Sequence, residues 1–452
     1  MNIIGLDLGT TTLSAVVADS ENGVLRDIRN IPNGADLPPR MEGERIQDAD
    51  VIADKALQLT GELMTRHEAA AIGLDGQMHG LLYVDGEGRA VSPLVTWQDQ
   101  RGEAPLAGTT FAGELSRRTG HPMATGYGMT THFWHVVNGR VPENAESLCT
   151  IADYIGMKLT GRTRPLMHLS NAAGMGPADV QRGTWDAGAM KKAGIDTGIL
   201  PEVTDRLTLL GRTPEGIPVA CAIGDNQASF LGSVREPAGT VLVNMGTGGQ
   251  VSMLAAGQRP ERNLEIRPLG DGQAIAVGSV ICGGRSYALL EAFLRSCAAL
   301  AGAEDAPLYE AMNRIGLELL DSPDLPAVDT RFGGTRARPD LRGAISGIGT
   351  ENFDAGHLIA GTLLGMAREM HGLYDRMLTG QAVPAVRMVG SGNALRRNPA
   401  LRKAFEAVFG MRMRIPLHTE EAAYGAALAG MVAAGFLPSL GEAQRLIRYR
   451  ES

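Results

Sequence analysis

An α/β protein of two domains is the fold class this sequence predicts, and three observations carry it. Apolar strand-like runs alternate with helical segments along the chain. At 452 residues the chain exceeds one ordinary core, since domains run to roughly 100–200 residues. Finally, IIGLDLGTTTLSAVVAD at 3–19 and VLVNMGTGGQVSML at 241–254 each run an apolar strand into a small-residue turn containing Gly-Thr and then resume as a strand, as a duplicated domain would.

The elements follow in order. Residues 3–8, 13–18 and 24–29 read as strands, 50–66 as a helix, and 70–75 and 80–84 as strands again. LCTIAD at 148–153 reads as a short strand. After VACAIGDNQASFLGSV at 219–234 the pattern restarts with strands near 239–244, 250–255 and 274–278 and a helix near 284–300. A long helix at 355–378 precedes strand AVRMVGSG, helix NPALRKAFEAVFG, strand MRMRIP and helix EEAAYGAALAGMVAAG. That order puts a boundary near 233, giving domains 1–233 and 234–452.

Composition narrows the function classes. No run of 18 or more apolar residues is present, so a membrane span is not expected. The start MNIIGLDLG enters strand-like sequence without a basic, apolar and small-residue leader, which makes a cytoplasmic location the expectation. Cys149, Cys221, Cys282 and Cys297 are scattered without a C-x-x-C pair, which argues against disulfides and structural zinc. A net charge of −8 opposes nucleic acid as a partner. A homodimer is the assembly considered.

Four motifs carry chemistry. A loop of small residues exposing backbone N–H groups can cradle phosphate oxygens, so the two Gly-Thr turns suit a polyphosphate held across a cleft. Two unrelated hairpin turns are the plainer alternative. Asp7, at the end of the first strand, suits Mg²⁺, an ion that takes one or two carboxylates and keeps its waters; a turn-capping Asp is the alternative. Asp225 in GDNQAS suits the acceptance of a proton from a substrate hydroxyl during phosphoryl transfer, with Asn226 and Gln227 to orient the substrate; a helix N-cap is the other role. GQMHG at 76–80 and TWQDQRG at 96–102 combine one large aromatic with Gln, His, Asp and Arg, which suits a sugar: the Trp97 ring covers a C–H face and the polar groups make directional bonds. VGSGNALRRN at 389–398 reads as strand, Gly turn and helix, able to approach an anion or a flat ring.

GLDLGTTTLS, GQMHG, TWQDQR, GDNQAS, NMGTGG, GTRARPDLRG and GSGNALRRN, in that order, resemble the FGGY carbohydrate kinases. The resemblance covers essentially the whole chain. It implies two duplicated ribonuclease-H-like, actin-like ATPase domains with a cleft between them, ATP and Mg²⁺ as cofactors, and a small-molecule ketose as substrate. It implies that Asp225 is the catalytic base and that Asp7 lies at the Mg-ATP site. Thr10, Thr11, Gly246 and Thr247 then match phosphate-loop positions, and Gly390, Gly392 and Asn393 the adenosine side. Gln77, Met78, His79, Trp97, Asp99, Arg101 and Asn226 match the ketose side. LVTWQDQR, TGYGMTTHFW, RPLMHLSNAAGMG and GSGNALRRN look most like the sedoheptulose-phosphorylating members, while xylulose kinases share G-Q-M-H-G and W-x-D-x-R. Ser14 stands where many relatives carry Lys or Arg, and Asp75 where they carry a small residue. A non-catalytic actin-like ATP-binding switch is the alternative from another class.

Overall fold

The computed structural model describes residues 1–255, 264–335, 338, 340–379 and 383–450; Arg336, Ala337 and Pro339 of the GTRARPDLRG stretch lie outside them. The chain forms two compact units. The first comprises Met1–Arg235, Arg267–Ala274 and His418–Arg448, and the second Glu236–Ile266, Ile275–Leu417 and Tyr449–Ser452.

In the first unit, strands β1 (Asn2–Leu8), β2 (Thr12–Asp19) and β3 (Leu25–Pro32) form an antiparallel meander, as the short turns between them require. Helix α1 (Ala49–His67) then crosses back, and strand β4 (Ala69–Gly76) joins β1 in parallel. Asp48 starts α1 by accepting the backbone N–H groups of Asp50 and Val51. Strands β5 (Leu209–Arg212) and β6 (Pro218–Ala220) extend the sheet to the order β5-β6-β4-β1-β2-β3, and β7 (Ile223–Gly224) also pairs with β4. Helix α3 (Asp225–Ser233) follows β7 directly.

LCTIAD does not form one strand. Its strand spans Ser147–Cys149, and helix α2 (Ile151–Thr160) then begins. The Thr150 hydroxyl accepts the Asp153 N–H while the Asp153 carboxylate accepts the Thr150 N–H, and this capping box starts a helix inside a run whose periodicity is too short to distinguish the two.

The second unit repeats the plan. Strands β8 (Thr240–Met245), β9 (Gly249–Leu254), β10 (Leu264–Gly270) and β11 (Gln273–Val280) precede helices α4 (Gly283–Leu300) and α5 (Ala355–Thr379). Strand β12 (Arg387–Ser391) pairs in parallel with β8; helix α6 (Pro399–Phe409) and strand β13 (Met413–Arg414) follow, giving β10-β11-β9-β8-β12-β13. In both sheets an antiparallel hairpin, β1-β2 or β8-β9, abuts a parallel strand reached through a helix, β4 or β12. The repeated Gly-Thr turns are the tips of those hairpins.

The glycine- and alanine-rich helix α7 (Glu421–Ala433) packs within the first unit, although the sequence places all of 234–452 in one domain. Its backbone lies close to β1 and β4: a Cβ at Gly5 would meet the Ala423 carbonyl oxygen at 1.9 Å, and one at Gly73 the Ala426 oxygen at 1.8 Å. Only glycine permits that approach. Each unit has its own core, centred in the first on Ile4, Leu6, Ile72 and Leu74 and in the second on Val241, Val243, Ala367 and Met388. Among the described residues, no helix is long and apolar enough to cross a membrane.

Candidate active site

The first cluster stands where the parallel strands of the first unit end, the edge at which open α/β sheets place ligands. Asp7 on β1 is the register partner of Asp75 on β4, and Asp75 is in turn the partner of Ile223 on β7, two residues before Asp225. Three neighbouring strands thus deliver three carboxyls to one edge. Burial first, and then the Asp225 charge, pushes the Asp7 carboxyl up to about 7. Asp75 is fully buried and also rises, through burial and the charges of Asp7 and Asp225. Asp225 rises by burial, opposed by the Arg267 guanidinium. A carboxyl held above its usual range is a better proton acceptor near neutral pH than an exposed aspartate.

Asp225 is not the N-cap of α3. Gly224 holds that position without a side-chain cap, and Asp225 accepts the Asn226 N–H at 2.7 Å. Gln227 lies behind, fully buried.

The turn after β1 is tied to the aromatic cluster. The Trp97 indole N–H donates to the Thr10 hydroxyl at 3.0 Å, and that hydroxyl donates to the Gln77 side-chain oxygen at 3.4 Å. Gln47 donates to the Thr10 carbonyl at 2.8 Å, fixing the turn from below. Trp97 remains 48% exposed, so most of one ring face is available to a ligand. Thr11 beside it is exposed. His79 stacks on Tyr127, with ring centroids 4.6 Å apart and planes inclined by 4°. Met78 packs inside the core, against Gly174 and Gly224.

Asp99 and Arg101 are buried partners of each other, with Nε to Oδ1 at 2.6 Å and Nη2 to Oδ2 at 2.9 Å. Asp99 also accepts the Arg45 N–H, and Arg101 reaches Glu44 at 3.3 Å and the Trp134 ring at 5.1 Å. Behind them, Arg101 donates to His135 Nε2, and Tyr83 bridges the Nδ1 atoms of His135 and His132 at 3.0 and 2.8 Å. Burial and the Arg101 charge hold His135 down to about 3, so the ring is neutral and accepts that donation. This network anchors the loop that carries Trp97.

In the second unit, Gly246 and Thr247 are exposed at the β8-β9 tip. Their carbonyl oxygens accept the N–H groups of Gly284 and Arg285 at the start of α4, at 2.9 and 3.1 Å. Gly390 and Gly392 lie at the end of β12, the parallel partner of β8, with Asn244 registered against Ser391. Gly392 has φ +87, and a Cβ there would meet the Met245 carbonyl oxygen at 2.5 Å. Asn393 is exposed at the start of the helix Asn393–Arg397. The five residues therefore gather on two adjoining strand ends.

Sequence reasoning missed Gln47, Tyr127 and Arg267. The first two lie outside the polar motifs, and the Arg267 guanidinium sits in EIRPLGDG, which carries no signal. Asp7 and Asp75 fit a hard cation by their chemistry, since register-paired positions on adjacent strands set two carboxyls side by side, hydrogen-bonded to each other. Among the described residues no three His, Cys, Asp or Glu side chains converge on a preformed cage.

Comparison with known proteins gives a consistent result. The model of the FGGY family of carbohydrate kinases, N-terminal domain, matches residues 2–232, and that of the C-terminal domain residues 241–434. A sedoheptulokinase from Mus musculus is 28% identical over 477 aligned positions, covering 94% of this chain and 96% of the mouse protein. A xylulose kinase from Streptomyces rubiginosus is 30% identical, over 55% of this chain and 53% of its own. The crystal structure of a xyloylose kinase from Brucella ovis superposes with a TM-score of 0.86 at 21% identity, over 100% of this chain and 94% of that one. The fold is thus the two-domain, actin-like ATPase fold of those sugar kinases.

Proposed function

From the premise that this chain belongs to the FGGY family of carbohydrate kinases, we propose that it transfers the γ-phosphoryl group of ATP to the terminal primary hydroxyl of a ketose, sedoheptulose, giving sedoheptulose 7-phosphate and ADP. The observation that carries this reading is Asp225, an enclosed carboxyl with a raised proton affinity at the strand edge shared with Asp7. The mouse sedoheptulokinase, similar along 94% of the chain, supports the choice of ketose.

The acceptor oxygen forms its bond to the γ-phosphorus as the bond to the β–γ bridging oxygen breaks, and Asp225 takes the hydroxyl proton. Trp97 covers the C–H face of the sugar, while Gln77, His79 and Asn226 supply polar contacts around it. Asp99 and Arg101 act through the loop they hold, as positioning residues. Thr10, Thr11, Gly246 and Thr247 offer backbone and hydroxyl groups to phosphate oxygens, and Gly390, Gly392 and Asn393 leave room for the adenosine. When bound, Mg²⁺ supplies neutralisation of phosphate charge, and Asp7 would hold it.

ADP release measured over a panel of ketoses tests this reading. Release stimulated most by sedoheptulose upholds it. A higher kcat/KM on xylulose would move the enzyme to the second reading, which the 30% identity to the Streptomyces xylulose kinase favours. Sugar-independent ATP hydrolysis would refute both.

A further inference from the structure

We infer that Asn33 and Gln47 are positioning residues for phosphoryl transfer: their side-chain amides hold the carbonyl oxygens of the turn at 9–11 to the rear, so that the N–H groups of that turn face the phosphate chain. The inference rests on the reading of this turn as a phosphate loop, and goes beyond it by naming what orients the turn.

Three consecutive carbonyl oxygens are tied down. The Gly9 oxygen accepts from Asn33 Nδ2 at 2.9 Å, the Thr10 oxygen from Gln47 Nε2 at 2.8 Å, and the Thr11 oxygen from the Asn33 backbone N–H at 2.9 Å. A trans peptide sets each N–H antiparallel to the carbonyl that precedes it. The N–H groups of Thr10, Thr11 and Thr12 therefore point away from Asn33 and Gln47. Successive N–H groups turned to one side make a concavity for an anion.

The two amides are themselves fixed. Asn33 Oδ1 accepts the Ala35 N–H at 3.2 Å, which leaves Nδ2 for Gly9, and the Asn33 carbonyl accepts from the Lys55 ammonium. Gln47 Nε2 also donates to the Asp36 carboxylate at 3.0 Å, and because an ionised carboxylate only accepts, that amide has one orientation. The strand Ile46–Gln47 pairs with Leu94–Val95, setting Gln47 opposite Leu94 and three residues before Trp97, whose indole donates to the Thr10 hydroxyl. Asn33 is 1% exposed and Gln47 fully buried.

A buried carbonyl needs a donor. Without these amides the peptide groups of the turn can rotate toward water on the open side, which would aim carbonyl oxygens at the phosphates and repel them. The floor of the turn thus sets the sign of the charge that the turn presents.

The test titrates the full chain with inorganic tripolyphosphate by calorimetry and measures ADP release beside it. Asn33→Asp and Gln47→Glu keep the size of each side chain but replace its donor with an oxygen that only accepts. Each should bind tripolyphosphate about 10-fold or more weakly, the equivalent of one charge-assisted hydrogen bond or two. Gln47→Met, which is neutral, should show the loss as well, so that repulsion by a new charge does not account for it. In folded variants kcat/KM for ATP should fall in parallel while ketose KM stays within about 2-fold. Tripolyphosphate binding equal to the parent's in the folded variants, or a loss matched by an equal rise in ketose KM, overturns the inference. A parent that binds tripolyphosphate more tightly than its variants yet phosphorylates no ketose upholds it and refutes the substrate reading instead. A parent that binds neither ATP nor tripolyphosphate refutes both.

Discussion

Trp97 offers a way to separate ring from hydrogen bond. An aromatic side chain of this size has about 150–250 Å² to bury, and Trp97 is 48% exposed. Roughly 100 Å² is therefore free, and a sugar on one face covers about half of it; at about 25 cal/mol per Å² that is about 1 kcal/mol, or a 5- to 10-fold rise in ketose KM for Trp97→Ala. Trp97→Phe keeps a ring and loses only the N–H donated to Thr10 at 3.0 Å. A hydrogen bond in so exposed a position contributes at the low end of about 0.5–1.5 kcal/mol, so ketose KM should rise by only about 2-fold. Coupled ADP-release kinetics, varying ketose at saturating ATP and then the reverse, read both constants. ATP KM should stay within about 2-fold in each variant. An equal rise in the ketose and ATP constants for Trp97→Ala, or a lower melting temperature with unchanged kinetics, would make Trp97 a packing residue and refute the argument.

Two further outcomes test the fold and its buried charges. Gly73→Ala puts a methyl group 1.8 Å from the Ala426 carbonyl oxygen, so urea unfolding should show a loss of about 1–3 kcal/mol; a change below about 0.5 kcal/mol would mean that α7 does not pack there. Burial pushes the Asp153 carboxyl up to about 7 from 3.8. Because its folded value is raised, its contribution to stability is full below about pH 4 and is lost as pH rises through about 7. Between pH 8 and 5 the parent should therefore gain up to about 3 kcal/mol relative to Asp153→Asn, at about 1.4 kcal/mol per pH unit. A pH-independent difference would show that the carboxyl titrates normally.

The hairpins, the parallel strands and the longest helices were legible because each has a strong period and a clear turn at its end. The strand-end Asp7 and Asp225 and the exposed Trp97 were legible for a related reason: polar residues directly after apolar strands have few other places to go. Asp99 and Arg101 were readable as a polar pair but not as a buried one, since their partners Glu44, Arg45 and His135 come from distant segments. Helix α7 returns to the first unit because its small residues match Gly5 and Gly73, a complementarity between positions more than 350 residues apart that no local pattern displays. The partner of Asp75 was hidden too: sequence marks the extra carboxylate, and only the sheet register shows that Asp7 faces it.

The central claim is that Asp225 takes the proton of a sugar hydroxyl. Ketose-dependent ADP release by Asp225→Ala, measured beside its ATP affinity, tests it most directly. In Asp225→Ala, kcat should fall roughly 10²–10⁴-fold with ATP binding largely intact. Near-normal turnover in that variant would contradict it.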